Sequence, residues 1–133
     1  MLVINKDSHL RANKNISSDE LKDEMIVLYN DPYLIKFTQD ILPEKVKNNI
    51  TLITNNIDAI FEMIIKGNAV TIAPYYVVNS MPPYMKNKVV SIPINKYKTV
   101  PYYLWRITRK GEKVSQIIEQ FTQQLCTNYK EIF

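Results

Sequence analysis

The run Met25-Ile26-Val27-Leu28-Tyr29, followed within two residues by Asp31-Pro32, constrains this chain more than any other segment. Five consecutive apolar residues have the length and composition of a strand buried on both faces. Asp31 offers a helix N-cap and Pro32 the residue favoured at the first helical position, so a helix follows the strand at once. Leu34, Ile35, Thr38 and Leu42 recur on one face of that helix, and Pro43 stops it. A strand that needs cover on both sides, joined directly to a helix, is the repeating unit of an α/β fold: a mainly parallel sheet flanked by helices.

The rest of the chain repeats the pattern. Leu2-Val3-Ile4 reads as a short strand, and Ser17 with Glu20 has capping-box spacing for a brief helix. Residues 50–53 read as a strand and Asn55-Asn56 as the cap of the clearest helix, with Ile57, Ile60, Phe61, Ile64 and Ile65 on one face and Gly67 as its left-handed stop. Strands are expected at 70–73, 88–94 and 102–107, with loop and at most one helical turn between Pro74 and Pro83. A final helix spans about 112–129.

Composition narrows the class. The chain has 133 residues, 46% apolar and 23% charged, which excludes disorder and fibrous structure. A single cysteine, Cys126, excludes a disulfide scaffold and suits a reducing compartment. No apolar run approaches the ~18 residues of a membrane span. A soluble, cytoplasmic protein is expected. Seven basic residues and no acid fall between Lys86 and Lys110, interleaved with Tyr97, Tyr102, Tyr103 and Trp105. No helix-turn-helix, zinc or glycine-rich signature accompanies them, so they read as the solvated side of strands rather than as a nucleic-acid surface.

Several segments taken in order carry a family resemblance. Leu2-Val3-Ile4-Asn5-Lys6-Asp7-Ser8-His9-Leu10 has the form of a crossing strand and its turn. Residues 53–74, ITNNIDAIFEMIIKGNAVTIAP, have a helix ending in glycine and an apolar strand closing on proline. Val89-Val90-Ser91-Ile92-Pro93-Ile94, residues 102–106 and the last helix complete the order. The whole resembles the effector-binding domain of LysR-type transcriptional regulators, with Ser8-His9 where the family usually has His-Pro and Ala69 at the second glycine of Gly-x-Gly. The resemblance implies one lobe of a type 2 periplasmic-binding-protein-like effector domain. Residues 1–100 correspond to the second lobe, and 101–133 to the strand and helix that return to a first lobe absent from this chain. It also implies a non-enzymatic small-molecule sensor that reaches DNA only through an N-terminal domain absent here. The alternative of another class is a lobe of a transporter's solute-binding protein.

Chemistry is sparse. His9 sits in a turn beside Asp7 and Ser8, and sequence neighbours do not converge as triad groups must. Cys126 reads as a packing residue, and Glu20, Asp23 and Glu24 as exposed charge. No catalytic residue, metal site or cofactor is expected. Ligands of open α/β sheets sit at the carboxyl ends of strands, where helix N-termini offer unpaired N–H groups. Two such junctions are the candidate effector site: Tyr29, Asn30, Asp31 and Tyr33 at one, Thr54, Asn55 and Asn56 at the other. The resemblance places the family's effector cleft at the first. Asp31 there disfavours an anion, so a neutral, cationic or zwitterionic effector is expected, bound weakly by one lobe.

The C-terminal helix presents Val114, Ile117, Ile118, Phe121 and Leu125 as an apolar stripe whose partner, by the resemblance, belongs to the absent lobe. A homodimer held by this segment is therefore expected.

Overall fold

The computed structural model describes residues 1–94, 105–111 and 113–132. The chain divides into two compact units, Met1–Tyr97 and Lys98–Phe133.

In the first unit the strands are β1 (Leu2–Asn5), β2 (Ile26–Tyr29), β3 (Ile50–Thr54), β4 (Thr71–Ile72) and β5 (Val89–Ile92). The helices are α1 (Pro32–Ile41), α2 (Glu44–Lys47), α3 (Ile57–Ile65), α4 (Tyr75–Asn79) and α5 (Pro83–Lys86). β1 lies antiparallel between β4 and β5, while β2 and β3 are parallel. A parallel bridge between Ile26 and Val70 joins the two sheets. There the Val27 N–H donates to the Val70 carbonyl at 3.0 Å and the Val70 N–H to the Met25 carbonyl at 2.9 Å. The buried Thr71 hydroxyl adds a bond to the Val27 carbonyl at 2.6 Å. The spatial order is thus β3-β2-β4-β1-β5, with four strands running one way and β1, the crossing strand, running against them.

The period-2 alternation of side chains gives the inner strands β1, β2 and β4 two buried faces, while β3 at the edge alternates partly buried and exposed residues. Leu2, Ile4, Ile26, Leu28, Ile72 and Ile92 pack with Leu34 and Ile41 of α1 and Val46 of α2 on one side. Val3, Val27, Ala73 and Val89 pack with Ile60, Phe61 and Ile64 of α3 and Met85 of α5 on the other. This sandwich of helix, sheet and helix is why the apolar run could be read as buried on both faces. Ile26, Val27 and Leu28 are fully buried, whereas Met25 and Tyr29 at its ends are exposed.

Helix ends follow the expected punctuation. Asp31 Oδ1 accepts the Leu34 N–H at 2.7 Å, Asn56 Oδ1 accepts the Ala59 N–H at 3.0 Å, and Gly67 stops α3 at φ +75°. The segment after Ser17 is a single 3-10 turn, Ser18–Leu21, in which the Ser17 N–H donates to Glu20 Oε2 at 2.7 Å. Three local expectations need correction. Helix α2 occupies residues assigned to no element. The loop after β4 folds into two short helices, each started by a proline at its N-cap or first turn. Glu24, read as exposed surface charge, has a side chain only 19% exposed because the chain turns directly into β2 beside it.

In the second unit α6 spans Gln116–Ile132. It starts four residues later than the periodicity suggests, because Ser115 takes the capping position: its carbonyl accepts from the Glu119 N–H at 3.0 Å and its hydroxyl from the Ile118 N–H at 3.4 Å. Of the strand expected at 102–107, residues 102–104 lie outside the described residues. Residues 105–107 are not in a strand, and among the described residues this unit has no second strand to form a ladder with them.

Candidate functional site

Pairing of β2 with β3 decides the geometry of the candidate site. The register sets Tyr29 opposite Thr54, and one residue further the Asn30 N–H donates to the Thr54 carbonyl at 3.0 Å. The two strand-to-helix junctions chosen from sequence are therefore neighbours on one edge of the sheet. Both helices start there, so α1 and α3 direct their N-termini to the same edge.

Not all seven candidate residues are available to a ligand. Asp31 caps α1, and its N–H donates to the Tyr29 carbonyl at 2.8 Å. Asn56 caps α3, and the Thr54 hydroxyl accepts the Asn56 N–H at 3.1 Å. These three side chains hold the turns. Tyr29 is 41% and Tyr33 42% exposed, and Asn30 and Asn55 are exposed as well. These four present phenol, aromatic face and amide to solvent over a rigid base.

The edge carries two further groups that sequence reasoning missed. Tyr75, in the first turn of α4, follows β4, the other neighbour of β2, and is exposed. Pro74, two residues past β4 and at the N-cap of α4, was the available signal: a proline there cannot donate to a ladder and suits the start of a helix. The α-amino group of Met1 lies where β1 begins and donates to the Ala73 carbonyl at 2.9 Å. Burial lowers its pKa from the usual 8.0. Fixed negative charge at the edge comes from Asp31 and from Asp58 in the first turn of α3. An edge of tyrosines and amides over two carboxylates suits a neutral or cationic polar molecule with an apolar or aromatic body.

Elsewhere, His9 is a surface turn residue as expected, 76% exposed. Cys126 is exposed on α6 rather than packed. Among the described residues no cluster of three or more His, Cys, Asp or Glu side chains could hold a metal ion. On α6, Ile117 (77% exposed), Ile118 and Phe121 (65%) form an exposed apolar face and Leu125 is partly buried. Val114 precedes the helix, so the expected stripe loses its first member.

Compared with known proteins, residues 1–129 match the family described as LysR substrate binding domain. No curated protein matches the sequence. Among solved structures the chain is similar to HinK, a LysR family transcriptional regulator from Pseudomonas aeruginosa, at 15% identity and a TM-score of 0.62, covering 92% of this chain and 41% of that one. It is similar to a putative LysR family transcriptional regulator of the same organism at 16% identity and a TM-score of 0.62, covering 93% and 45%. The regulatory domain of reduced OxyR, also from Pseudomonas aeruginosa, has 19% identity and a TM-score of 0.54 over 71% of this chain and 45% of that one. The chain thus spans less than half the length of these structures. None of the three is described as a transporter's solute-binding protein, so nothing here favours the transporter alternative.

Proposed function

The chain belongs to the LysR substrate-binding domain family, and we propose that it serves as a small-molecule effector-sensing lobe of a LysR-type transcriptional regulator. The observation that carries the reading is the Tyr29–Thr54 register, which gathers Tyr29, Asn30, Tyr33 and Asn55 on the carboxyl edge above a helix-capped base. This edge is one wall of the effector site. The effector is neutral, cationic or zwitterionic, because Asp31 and Asp58 set the fixed charge beside the exposed tyrosines. The domain binds and does not catalyse. It reaches DNA through an N-terminal domain outside this chain, and ligand binding biases the arrangement of the attached dimer and hence its DNA contacts. Among the described residues no helix is long and apolar enough to cross a membrane, and cytoplasmic placement is part of the proposal.

Calorimetric titration of this chain with a panel of amino acids, aromatic amines and aromatic and aliphatic acids tests the reading. A ligand that meets one wall loses affinity exponentially, since each ~1.4 kcal/mol is a factor of ten. Weak binding, at or above the micromolar range and diminished by Tyr29→Ala, is expected. A sub-micromolar constant, or binding indifferent to alanine at Tyr29, Asn30 and Tyr33, would overturn it.

A further inference from the structure

The carboxyl edge has two seams, one on each side of β2, and they end differently. On the β3 side the ladder runs through Tyr29 and Thr54 and one step beyond, to the Asn30 N–H. On the β4 side the bridge of Ile26 with Val70 stands alone. Its last backbone bond joins the Val27 N–H to the Val70 carbonyl at 3.0 Å. The pairing of β2 with β4 thus stops at Val27, short of the strand end at Tyr29.

Backbone direction does not explain the stop. Val70 turns both its N–H and its carbonyl to β2, and Ala73 turns its N–H to the Met1 carbonyl on the other side. Alternation along β4 therefore aims the Ile72 N–H at β2, where the next ladder acceptor is the Val27 carbonyl. That carbonyl takes the Thr71 hydroxyl instead, at 2.6 Å. Thr71 stands opposite Val3 and between Ala69 and Ala73 on its own strand face, all of them apolar and buried. Valine would fill such a position and would leave the carbonyl to Ile72. Both Thr71 and Ile72 are buried, and a buried backbone N–H is normally paired, so the arrangement forgoes a ladder bond.

We propose that Thr71 is a positioning residue of the effector edge: by capturing the Val27 carbonyl, its hydroxyl keeps the carboxyl end of the β2–β4 seam unzipped. The inference deepens the reading of this edge as the effector wall and rests on it. Ligands of open α/β sheets enter between strand ends. A seam zipped to its end would draw β2 and β4 to ladder spacing there, about 4.8 Å. Held open, it leaves room for a planar aromatic body between Tyr29 and Tyr75, the exposed rings at the two strand ends. Thr71 touches no ligand in this scheme and acts through Val27.

Amide hydrogen exchange of the full chain, followed by NMR, tests the seam without any ligand. The Ile72 amide should exchange at least about tenfold faster than that of Val70, the difference one hydrogen bond makes. Thr71→Val keeps the shape, frees the Val27 carbonyl for Ile72, and should slow the Ile72 amide relative to Val70. Thr71→Ser keeps the hydroxyl and should restore the original ratio. A hydroxyl that served stability alone would give the opposite result, since its loss would loosen the seam and speed Ile72. Thr71→Ala repeats the measurement should valine fail to fold. Calorimetric titration with phenethylammonium chloride then reads the edge, and its Kd should rise about tenfold in Thr71→Val and recover in Thr71→Ser. An Ile72 amide as slow as that of Val70 in the unaltered chain, an Ile72 amide not slowed in either variant, or a probe affinity indifferent to the zipped seam would overturn the proposal. The expected exchange pattern in a chain that ignores the probe would uphold the seam and fail the effector reading alone.

Discussion

The Asn30 N–H and the Thr54 carbonyl meet at 3.0 Å, one step past the last residue of β2, and that bond fuses two strand-to-helix turns into one surface. Side chains on this surface divide into those that build it and those that face outward. Alanine at Tyr29 or Asn30 should lower effector affinity by about tenfold or more, with little change in melting temperature. Alanine at Asp31 or Asn56 should instead cost about 1 kcal/mol of stability, the usual loss for a removed N-cap. Parallel calorimetry and urea denaturation separate the two classes, and a Tyr29→Ala protein that binds normally would remove this edge from consideration.

Why the two junctions were legible in sequence, and the strand order was not, has a physical cause. Asp31-Pro32 and Asn55-Asn56 announce strand-to-helix junctions through local capping chemistry, which acts over a few residues and is written contiguously. The order β3-β2-β4-β1-β5 depends on pairings such as Val3 with Thr71, far apart in sequence, and local signals do not encode them. Glu24 shows the limit. By type and neighbours it reads as surface charge, and its enclosure arises only when the turn carrying His9 folds over the start of β2. Residues 105–107 show the converse: read from sequence as the end of a strand, they are in none, because pattern alone does not supply a ladder partner.

Thr38 Oγ1 is fully buried in α1 and has no hydrogen-bond partner among the described residues. An unsatisfied buried hydroxyl costs about 1–3 kcal/mol. Valine keeps the branched shape and removes the polar atom, so Thr38→Val should stabilise the chain by about 1 kcal/mol. Urea denaturation at equilibrium checks this, and a destabilised variant would mean that the hydroxyl has a partner in solution.

Gly67 holds α3's stop at φ +75°, and a Cβ added there would meet only Asn5 Nδ2, at an ordinary 3.9 Å. Space is therefore not the constraint, and the backbone conformation is. Gly67→Ala should cost about 1–2 kcal/mol, the left-handed penalty for an L-residue, and Gly67→Asn distinctly less. Equal losses for the two, measured by thermal melting, would point to a packing role instead.

Burial lowers the pKa of the Met1 amino group below 8.0. Across the interval between the lowered value and 8.0 the unfolded chain binds more protons than the folded one, so this group makes stability rise with pH in that interval and leaves it level below the folded value and above 8.0. Acetylating the amine removes the charge and keeps an N–H for the Ala73 carbonyl. Denaturation midpoints measured from pH 6 to 8.5 should flatten on acetylation, and an unchanged slope would assign the dependence to another group.

The last expectation concerns the second unit. Ile117, Ile118 and Phe121 lie at i, i+1 and i+4 on α6 and are exposed together. Burying one such side chain is worth roughly 1.5–3 kcal/mol, so an isolated apolar face of three gives a strong drive toward association. A two-fold pairing of α6 with α6 of a second copy covers the same face on both chains at once, and no second kind of surface is required. The proposed homodimer should therefore sediment with a weight that rises with concentration in the micromolar range, where about 8 kcal/mol holds a complex together. Phe121→Asp places a charge in the middle of the face and should shift that transition at least tenfold, while leaving the melting of the first unit unchanged. A monomer at every concentration, with the amides of α6 protected from hydrogen exchange, would show that the face is covered within the same chain.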